Sequence, residues 1–491
     1  NNEGYKNLSK MVSIGFTEGF YYKPRIDFKT MEQYHEGLIC LSACLAGAVS
    51  QAILNGDIEK AEEVAKWHKN VFGEDYYLEI QNNGVKEQVM VNQKIIQIAR
   101  RLNIPIVATN DAHYLKKEDA YNHEVLLCIQ TGKRITDEDR MRFETDELYV
   151  KSPEEMSEYF KNFPDAIENT VKIAEKCNVE FEFGHTILPN YDVPEEFSTH
   201  YDYFKKLCYD GIKIRYGENP SQEILDRAEY ELKIISQMGY VDYYLIVWDY
   251  INYAKSVGIP VGPGRGSGAG SILAYAIGIT DIDPMKYSLL FERFLNPERV
   301  TMPDIDIDFD SEKRGLVTDY VMNKYGEKRA IGIITFNTLG AKQVIRDVGR
   351  VLNISLPIID EIAKAITTKN LKDSYVVGSK FHRIINSNPD YIKLYNASVK
   401  LEGLPRHISV HAAGVVMSNI DIDEVIPLYK NPLGMYVSAF SKDYLEPLGL
   451  LKMDFLGLDN LTLISNVIEE IRKNEGINIS FEKIPLDDKK T

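Results

Sequence analysis

Cysteine is scarce in this sequence: Cys40, Cys44, Cys128, Cys177 and Cys208 are the five in 491 residues, at irregular spacings. Such spacing offers no disulfide framework and points to a reducing cytoplasm. No apolar run is long enough to span a bilayer and no secretory signal is present, so no membrane is expected as a partner. Positive charge is in deficit, with 57 Lys and Arg against 73 Asp and Glu and a net charge of −16. That balance excludes a protein that coats nucleic acid by bulk electrostatics. It does not exclude an enzyme of nucleic acid, whose positive surface can be local and whose metal-binding carboxylates add to the negative total. The chain opens on Asn1 without a methionine and stops at Thr491 after a charged run, as expected of a piece of something longer.

What is present is an ordinary globular composition, 44% hydrophobic and 26% charged. The length exceeds what one core supports and implies about three domains. The most informative stretch is residues 301–310, Thr-Met-Pro-Asp-Ile-Asp-Ile-Asp-Phe-Asp. In an extended strand Asp304, Asp306, Asp308 and Asp310 share one face, and Ile305, Ile307 and Phe309 the other. Carboxylates so crowded call for positive charge between them, and hard divalent cations such as Mg²⁺ take oxygen ligands of this kind. A calcium loop of the EF-hand type needs glycine sixth and glutamate twelfth. Phe309 and Gly315 stand there instead. A solvated acidic edge strand is the structural alternative.

Along the chain, residues 57–71 and 86–102 read as helices, and 76–80 and 104–109 as strands, a βα alternation that suggests a barrel or doubly wound sheet. Asn110-Asp111-Ala112-His113 follows the second strand, where such folds place their chemistry. Asp111 and His113 are metal-ligand types and Cys44 is a possible third, although, taken alone, core packing of Cys44 and turn capping by His113 are the better account. Residues 201–216, 222–237 and 242–256 carry apolar residues at helical spacing, and the aromatics Tyr240, Tyr243, Tyr244 and Trp248 suit a packed helix face better than base stacking.

Residues 258–271 hold a Gly-Pro-Gly-Arg-Gly-Ser-Gly-Ala-Gly-Ser run before the apolar helix 272–277. Glycines let the backbone approach an anion, and amides at a helix start point at phosphate oxygens. No Gly-Lys-Ser/Thr follows, which excludes a Walker A loop; a loose Rossmann turn and a ligand-free tight turn stay open. Then come Arg293 and Arg299 in Phe-Glu-Arg-Phe-Leu-Asn-Pro-Glu-Arg, and then the aspartates. Phosphate-binding turn, cations and metal ligands in this order suit phosphoryl transfer; ion pairs with Glu292 and Glu298 are the alternative for the arginines. Lys342, Arg346 and Arg350 could form a basic stripe toward nucleic acid, or a solvated helix face. The Val/Ala/Gly run after Arg406, His407 and His411 reads as a strand and favours phosphate contacts or structural hydrogen bonds over metal ligation. Residues 448–457 read as a buried strand with Lys452 and Asp454 on one face. Asp454 needs a partner, either Lys452 alone or a metal shared with Asp304 and Asp306.

Four motifs in order, Val-Gly-Pro-Gly-Arg-Gly-Ser-Gly-Ala-Gly-Ser, Phe-Glu-Arg-Phe-Leu-Asn-Pro-Glu-Arg, Pro-Asp-Ile-Asp-Ile-Asp-Phe and Lys-Met-Asp-Phe-Leu-Gly, resemble the catalytic core of the bacterial replicative DNA polymerase III alpha (C-family) polymerases. The resemblance implies an α/β and α+β multidomain chain. It comprises the later part of a polymerase-and-histidinol-phosphatase (PHP) βα barrel over 1–178, a polymerase-beta-like nucleotidyltransferase palm over 179–335 and 406–460, a helical thumb over 336–405 and the start of the fingers over 461–491. It implies catalytic, metal-binding Asp304, Asp306 and Asp454, with Asp308 a neighbour, and two Mg²⁺ ions. Arg265, Gly266, Ser267, Arg293, Arg299 and Lys452 would hold nucleotide or primer phosphates. Cys44, Asp111 and His113 match the last ligands of the family's PHP metal site, for Zn²⁺ or Mn²⁺, whose earlier ligands would precede Asn1. Primed template DNA and dNTPs would be the substrates, and the sliding clamp and other replisome subunits would bind regions beyond Thr491. Residues 1–491 alone are expected not to extend a primer.

Overall fold

The computed structural model describes residues 1–184, 186–298 and 303–479. Arg299, Thr301 and Met302 therefore lie outside the described residues. The chain is a mixed α/β structure that divides into two compact units, each assembled from separate stretches. The first comprises Asn1–Met11, Ile26–Glu180 and Phe336–Ser409; the second comprises Val12–Arg25, Phe181–Thr335 and Val410–Thr491. No described helix is long and apolar enough to cross a membrane.

In the first unit, β1 (Cys40–Leu41), β2 (Tyr76–Gln81) and β3 (Ile106–Thr109) form a parallel sheet with β2 in the middle. Every residue of β2 is buried, as a central parallel strand covered on both faces requires. Helices Ile58–Phe72 and Lys86–Leu102 turn Val64, Val91, Ile95 and Ile98 into the same core. Asp57 starts the first of these helices by accepting from the Lys60 amide at 2.9 Å. A second core in this unit lies among the helices of residues 341–401, where Ala341–Val351 buries Val344, Ile345 and Val348. The basic stripe on that helix is broken up: Arg346 pairs with Asp360 and Arg350 donates to the Lys133 carbonyl.

In the second unit, β4 (Ile307–Asp310), β5 (Ala330–Thr338), β6 (Pro405–Met417), β7 (Leu428–Lys430), β8 (Tyr436–Ser441) and β9 (Leu451–Leu458) form a sheet of order β4-β9-β6-β5-β8-β7. Helices α1 (His200–Tyr216), α2 (Gln222–Gln237), α3 (Val241–Ser256), α4 (Ile272–Ala276), α5 (Arg314–Tyr325) and α6 (Asp459–Glu475) accompany it. The aspartate strand and the Lys-Met-Asp strand, about 150 positions apart, are parallel neighbours in register Ile307↔Phe455. Ile305, Ile307 and Phe309 are buried as alternation predicts, and Tyr250 of α3 packs against both Phe309 and Phe455. Each such aromatic contributes on the order of 1.5–3 kcal/mol by leaving water. Three of the four aromatics of residues 240–248 are core rather than a stacking platform, with Tyr243 and Tyr244 fully enclosed, and the part-buried Trp248 packs against the same core.

One polar cluster fixes α3 against α5. The carboxylate of Asp249 accepts from Lys324 Nζ at 2.6 Å, from the Tyr320 hydroxyl at 3.1 Å and from the Tyr325 hydroxyl at 3.0 Å. The Tyr253 and Tyr320 rings stack at 3.8 Å beside it. Removing the Asp249 carboxylate leaves a part-buried Lys324 and two tyrosine hydroxyls without their acceptor, so Asp249→Ala is expected to lower the unfolding free energy in urea by about 2 kcal/mol, and a loss below about 0.5 kcal/mol would contradict this role.

Candidate active site

Only Ile307–Asp310 of the acidic stretch is regular strand. Asp304 is exposed, and Asp306 and Asp308 are partly buried. Asp310 departs from the expected common acidic face. It is buried, and its Oδ1 accepts from the Glu312 and Lys313 amides at 2.9 and 3.0 Å, so it closes the turn that leaves β4. Asp306 and Asp454 each stand one residue before the Ile307↔Phe455 pair on adjacent strands. Asp304 feels both: although its side chain reaches solvent, partial enclosure by the surrounding protein raises its carboxyl above the ordinary range, the Asp306 and Asp454 charges raise it further, and the Lys452 charge opposes them.

The glycine run lies directly on this strand. The Gly262 amide donates to the Asp308 carbonyl at 2.8 Å, and the Asp310 amide donates to the Pro260 carbonyl at 3.0 Å. Gly264 and Gly266 take φ of 97° and 68°, a region L side chains avoid. A Cβ on Gly266 would stand 3.1 Å from Asp306 Oδ2, and one on Gly268 3.3 Å from Ile305 Cγ1. The loop thus brings Arg265 onto the carboxylates: its Nη1 is 3.0 Å from Asp306 Oδ2 and its Nε 3.2 Å from Asp308 Oδ2. Ser267 is exposed and begins a short 3₁₀ turn, Ser267–Gly270. Arg293 is exposed on the turn Phe291–Arg293, and Glu292 hydrogen-bonds Tyr230.

One expectation needs correction. The amides at the start of the helix after the glycine loop do not face a phosphate site. They are taken by the buried Glu231 carboxylate, which accepts from Ile272 and Leu273 at 3.1 and 3.3 Å. Lys452 and Arg265 lie on carboxylates: Lys452 Nζ is 2.7 Å from Asp454 Oδ2, and Arg265 bridges Asp306 and Asp308. Among the described residues no three His, Cys, Asp or Glu side chains stand as a metal-holding group, either for Asp304, Asp306 and Asp454 or for Cys44, Asp111 and His113. At the first of these, two basic side chains already sit on the carboxylates. Even so, Asp454 Oδ1 is buried with no hydrogen-bond partner. An orphaned carboxylate oxygen beside two further aspartates is a donor set that fits a hard divalent cation.

In the first unit, Asp111 and His113 emerge after β3 and approach each other at 3.3 Å between His113 Nε2 and Asp111 Oδ1. Cys44 follows β1, part-exposed, behind Ala43 at φ 65°. The buried Glu79 on β2, which accepts from Gln81 and Thr109, was not singled out by sequence reasoning. Also missed were Glu231 and its partner Arg227, whose only signal is a Glu four residues after an Arg inside a helical pattern. His411 fulfils the structural reading: its Nδ1 accepts from the Ala413 and Gly414 amides, and Gly414 pairs with Asp454 across β6 and β9. Burial lowers its pKa, while the Asp454 charge opposes that.

Residues 202–457, which hold the whole loop, turn and carboxylate arrangement, match the family model of the bacterial DNA polymerase III alpha NTPase domain. The chain belongs to the bacterial DNA polymerase III alpha family. Residues 1–83 match the PHP domain. Among relatives of this polymerase family, the DNA polymerase III subunit alpha of Borreliella burgdorferi is 48% identical over 499 residues, covering 100% of this chain and 43% of that protein. That of Treponema pallidum is 45% identical over 496 residues, 99% of this chain and 42% of that protein. That of Bacillus subtilis is 39% identical over 494 residues, 100% of this chain and 44% of that protein. The chain therefore spans less than half the length of these curated relatives.

The raised carboxyl of Asp304 has a consequence for stability. A carboxyl that binds its proton more tightly folded than unfolded weakens the fold when it ionises; the cost is absent well below the ordinary carboxyl range and complete at neutral pH. Asp304→Asn is expected to raise the metal-free thermal midpoint at neutral pH and to lose that advantage on acidification. Melting curves across pH check this, and an advantage that grows toward acid would contradict it.

Proposed function

We propose that this chain carries the nucleotidyl-transfer centre of a DNA-directed DNA polymerase, which adds deoxynucleotides to a primer 3′-hydroxyl on a template during chromosomal replication. The observation that carries the reading is the glycine loop pressed against Asp306 and Asp308, with Asp454 on the adjacent strand. An anion-accepting loop and a cluster of carboxylates in need of cations are the two halves of a phosphoryl-transfer site.

Asp304, Asp306 and Asp454 would hold divalent ions, of which Mg²⁺ suits an all-oxygen donor set. Two such ions supply a primer hydroxyl of lowered pKa and neutralise charge on the triphosphate and leaving pyrophosphate. The chain's own part is to hold and aim. Ser267 and the neighbouring loop amides would grip the triphosphate for in-line attack. Arg265 is about half exposed, at 44%, and ion pairs of that kind contribute about 0.2–1 kcal/mol. It can exchange its aspartates for a phosphate at little cost. Lys452 would do the same from β9, and Arg293 and Arg299 would add charge along the nucleotide and primer.

The finer architecture belongs to the same proposal: a later PHP barrel over 1–178, a nucleotidyltransferase palm over 179–335 and 406–460, a thumb over 336–405 and the start of fingers over 461–491. Cys44, Asp111 and His113 would be part of a Zn²⁺ or Mn²⁺ site in the PHP domain, a reading supported by the Asp111–His113 contact. Primed template DNA and dNTPs are the substrates. The sliding clamp and other replisome subunits are partners through parts of the longer protein, in the cytoplasm.

The test is primer extension by the full-length protein. Asp304→Ala is expected to bind primed DNA and to extend it about a thousandfold or more slowly, and extension at the wild-type rate would end the assignment.

A further inference from the structure

Glu231 is an ionisable group wholly enclosed by protein, and the chemistry above makes no use of it. Its acceptor positions are filled from two directions. Oε1 accepts from Arg227 Nε at 2.7 Å and from the Ile272 amide at 3.1 Å, and Oε2 accepts from the Ser271 hydroxyl at 2.7 Å and from the Leu273 amide at 3.3 Å. Ser271 is the last residue of the glycine run and also caps α4 by accepting from the Ala274 amide. The Tyr244 hydroxyl donates to the Ser271 hydroxyl at 3.1 Å.

Arg227 extends the clamp. Its Nη2 donates to the Gly270 carbonyl at 3.0 Å and to the Leu289 carbonyl at 3.2 Å, so a single guanidinium ties the glycine loop to the turn that carries Arg293. The two segments are in backbone contact there, since a Cβ on Gly270 would stand 2.7 Å from the Leu290 carbonyl oxygen. Burying an ion pair is a poor source of net stability, and an apolar pair of similar volume often serves better. What an apolar pair cannot supply is a planar fork that meets a carboxylate and two carbonyls at fixed angles. Glu231 also puts a negative charge at the start of α4, which denies that helix end to a second anion and leaves the loop before Ser271 as the place for phosphates.

We propose that Arg227 and Glu231 are positioning residues of the triphosphate site, setting the register of the glycine loop against the Leu289–Arg293 turn and hence where Ser267 and Arg293 meet a nucleotide. The proposal rests on the nucleotidyl-transfer reading of that loop. Glu231→Gln keeps the shape but turns a donor toward amide or hydroxyl donors. Arg227→Lys keeps the charge but loses the fork.

The experiment is steady-state incorporation by the full-length enzyme at varied dNTP, with melting curves and primed-DNA binding on the same preparations. Both variants are expected to raise KM for dNTP about tenfold or more, with the Kd for primed DNA within about twofold of wild type. If Glu231→Gln does not fold, Arg227→Lys, which keeps the buried charge balanced, carries the test. A wild-type KM for dNTP in the folded variants overturns the proposal, and so does a Kd for DNA that worsens by the same factor as KM, because that is a general structural defect. Asp304→Ala run alongside separates the two ideas: full extension by Asp304→Ala sinks the polymerase reading, whereas its loss together with an unmoved KM in the clamp variants sinks the clamp alone.

Discussion

Like charges at the end of two neighbouring strands are the constraint on which this molecule is built. Two unit charges 4 Å apart in a protein-like medium interact by about 4 kcal/mol, so carboxylates gathered as Asp304, Asp306 and Asp454 are gathered only against opposition. The parallel pairing of β4 with β9 imposes that gathering, because Ile307↔Phe455 fixes Asp306 and Asp454 at equivalent positions. The opposition is met by Arg265 from the glycine loop and Lys452 from β9 itself. Both are the ends of long side chains that can reach elsewhere. The site is held together by opposite charges carried on flexible side chains.

Packing below makes that arrangement rigid. The buried face of the acidic stretch is Ile305, Ile307 and Phe309, backed by α3, and the Ile305 amide donates to the buried Tyr243 hydroxyl at 2.9 Å. Above, the loop approaches so closely that a side chain at 266 or 268 would press on the Asp306 or Ile305 side chain more tightly than ordinary packing allows. Glycine there serves proximity as much as backbone freedom. The Glu231–Arg227 pair then holds the far end of the loop, so the cradle is fixed at the strand on one side and at α2 on the other. The family relationship agrees with this construction, since the matched region begins within α1 and ends on β9.

Much of this was legible in the sequence where local pattern and tertiary demand coincide. The helices at 86–102 and 222–237 fall where apolar spacing puts them, and the burial of Ile305, Ile307 and Phe309 follows period-two alternation. The neighbourhood of loop and aspartates was legible only through the order of motifs. The role of Asp310 was not, because alternation says which face a carboxylate occupies but not that the chain will turn and offer it two amides. Glu231 was hidden for a related reason. A glutamate in an amphipathic helix reads as solvated, and nothing in the local pattern says that a helix start forty residues later will cover it. Likewise Arg265 looked free for phosphate because its carboxylate partners, Asp306 and Asp308, come about forty residues later in the chain.

The most direct measurement is anomalous diffraction from crystals of the full-length protein soaked in Mn²⁺. The account predicts density bounded by the carboxylates of Asp304, Asp306 and Asp454, with the Arg265 guanidinium withdrawn from Asp306. Arg265 still bridging Asp306 and Asp308, with Mn²⁺ bound elsewhere and none among the three carboxylates, would contradict it.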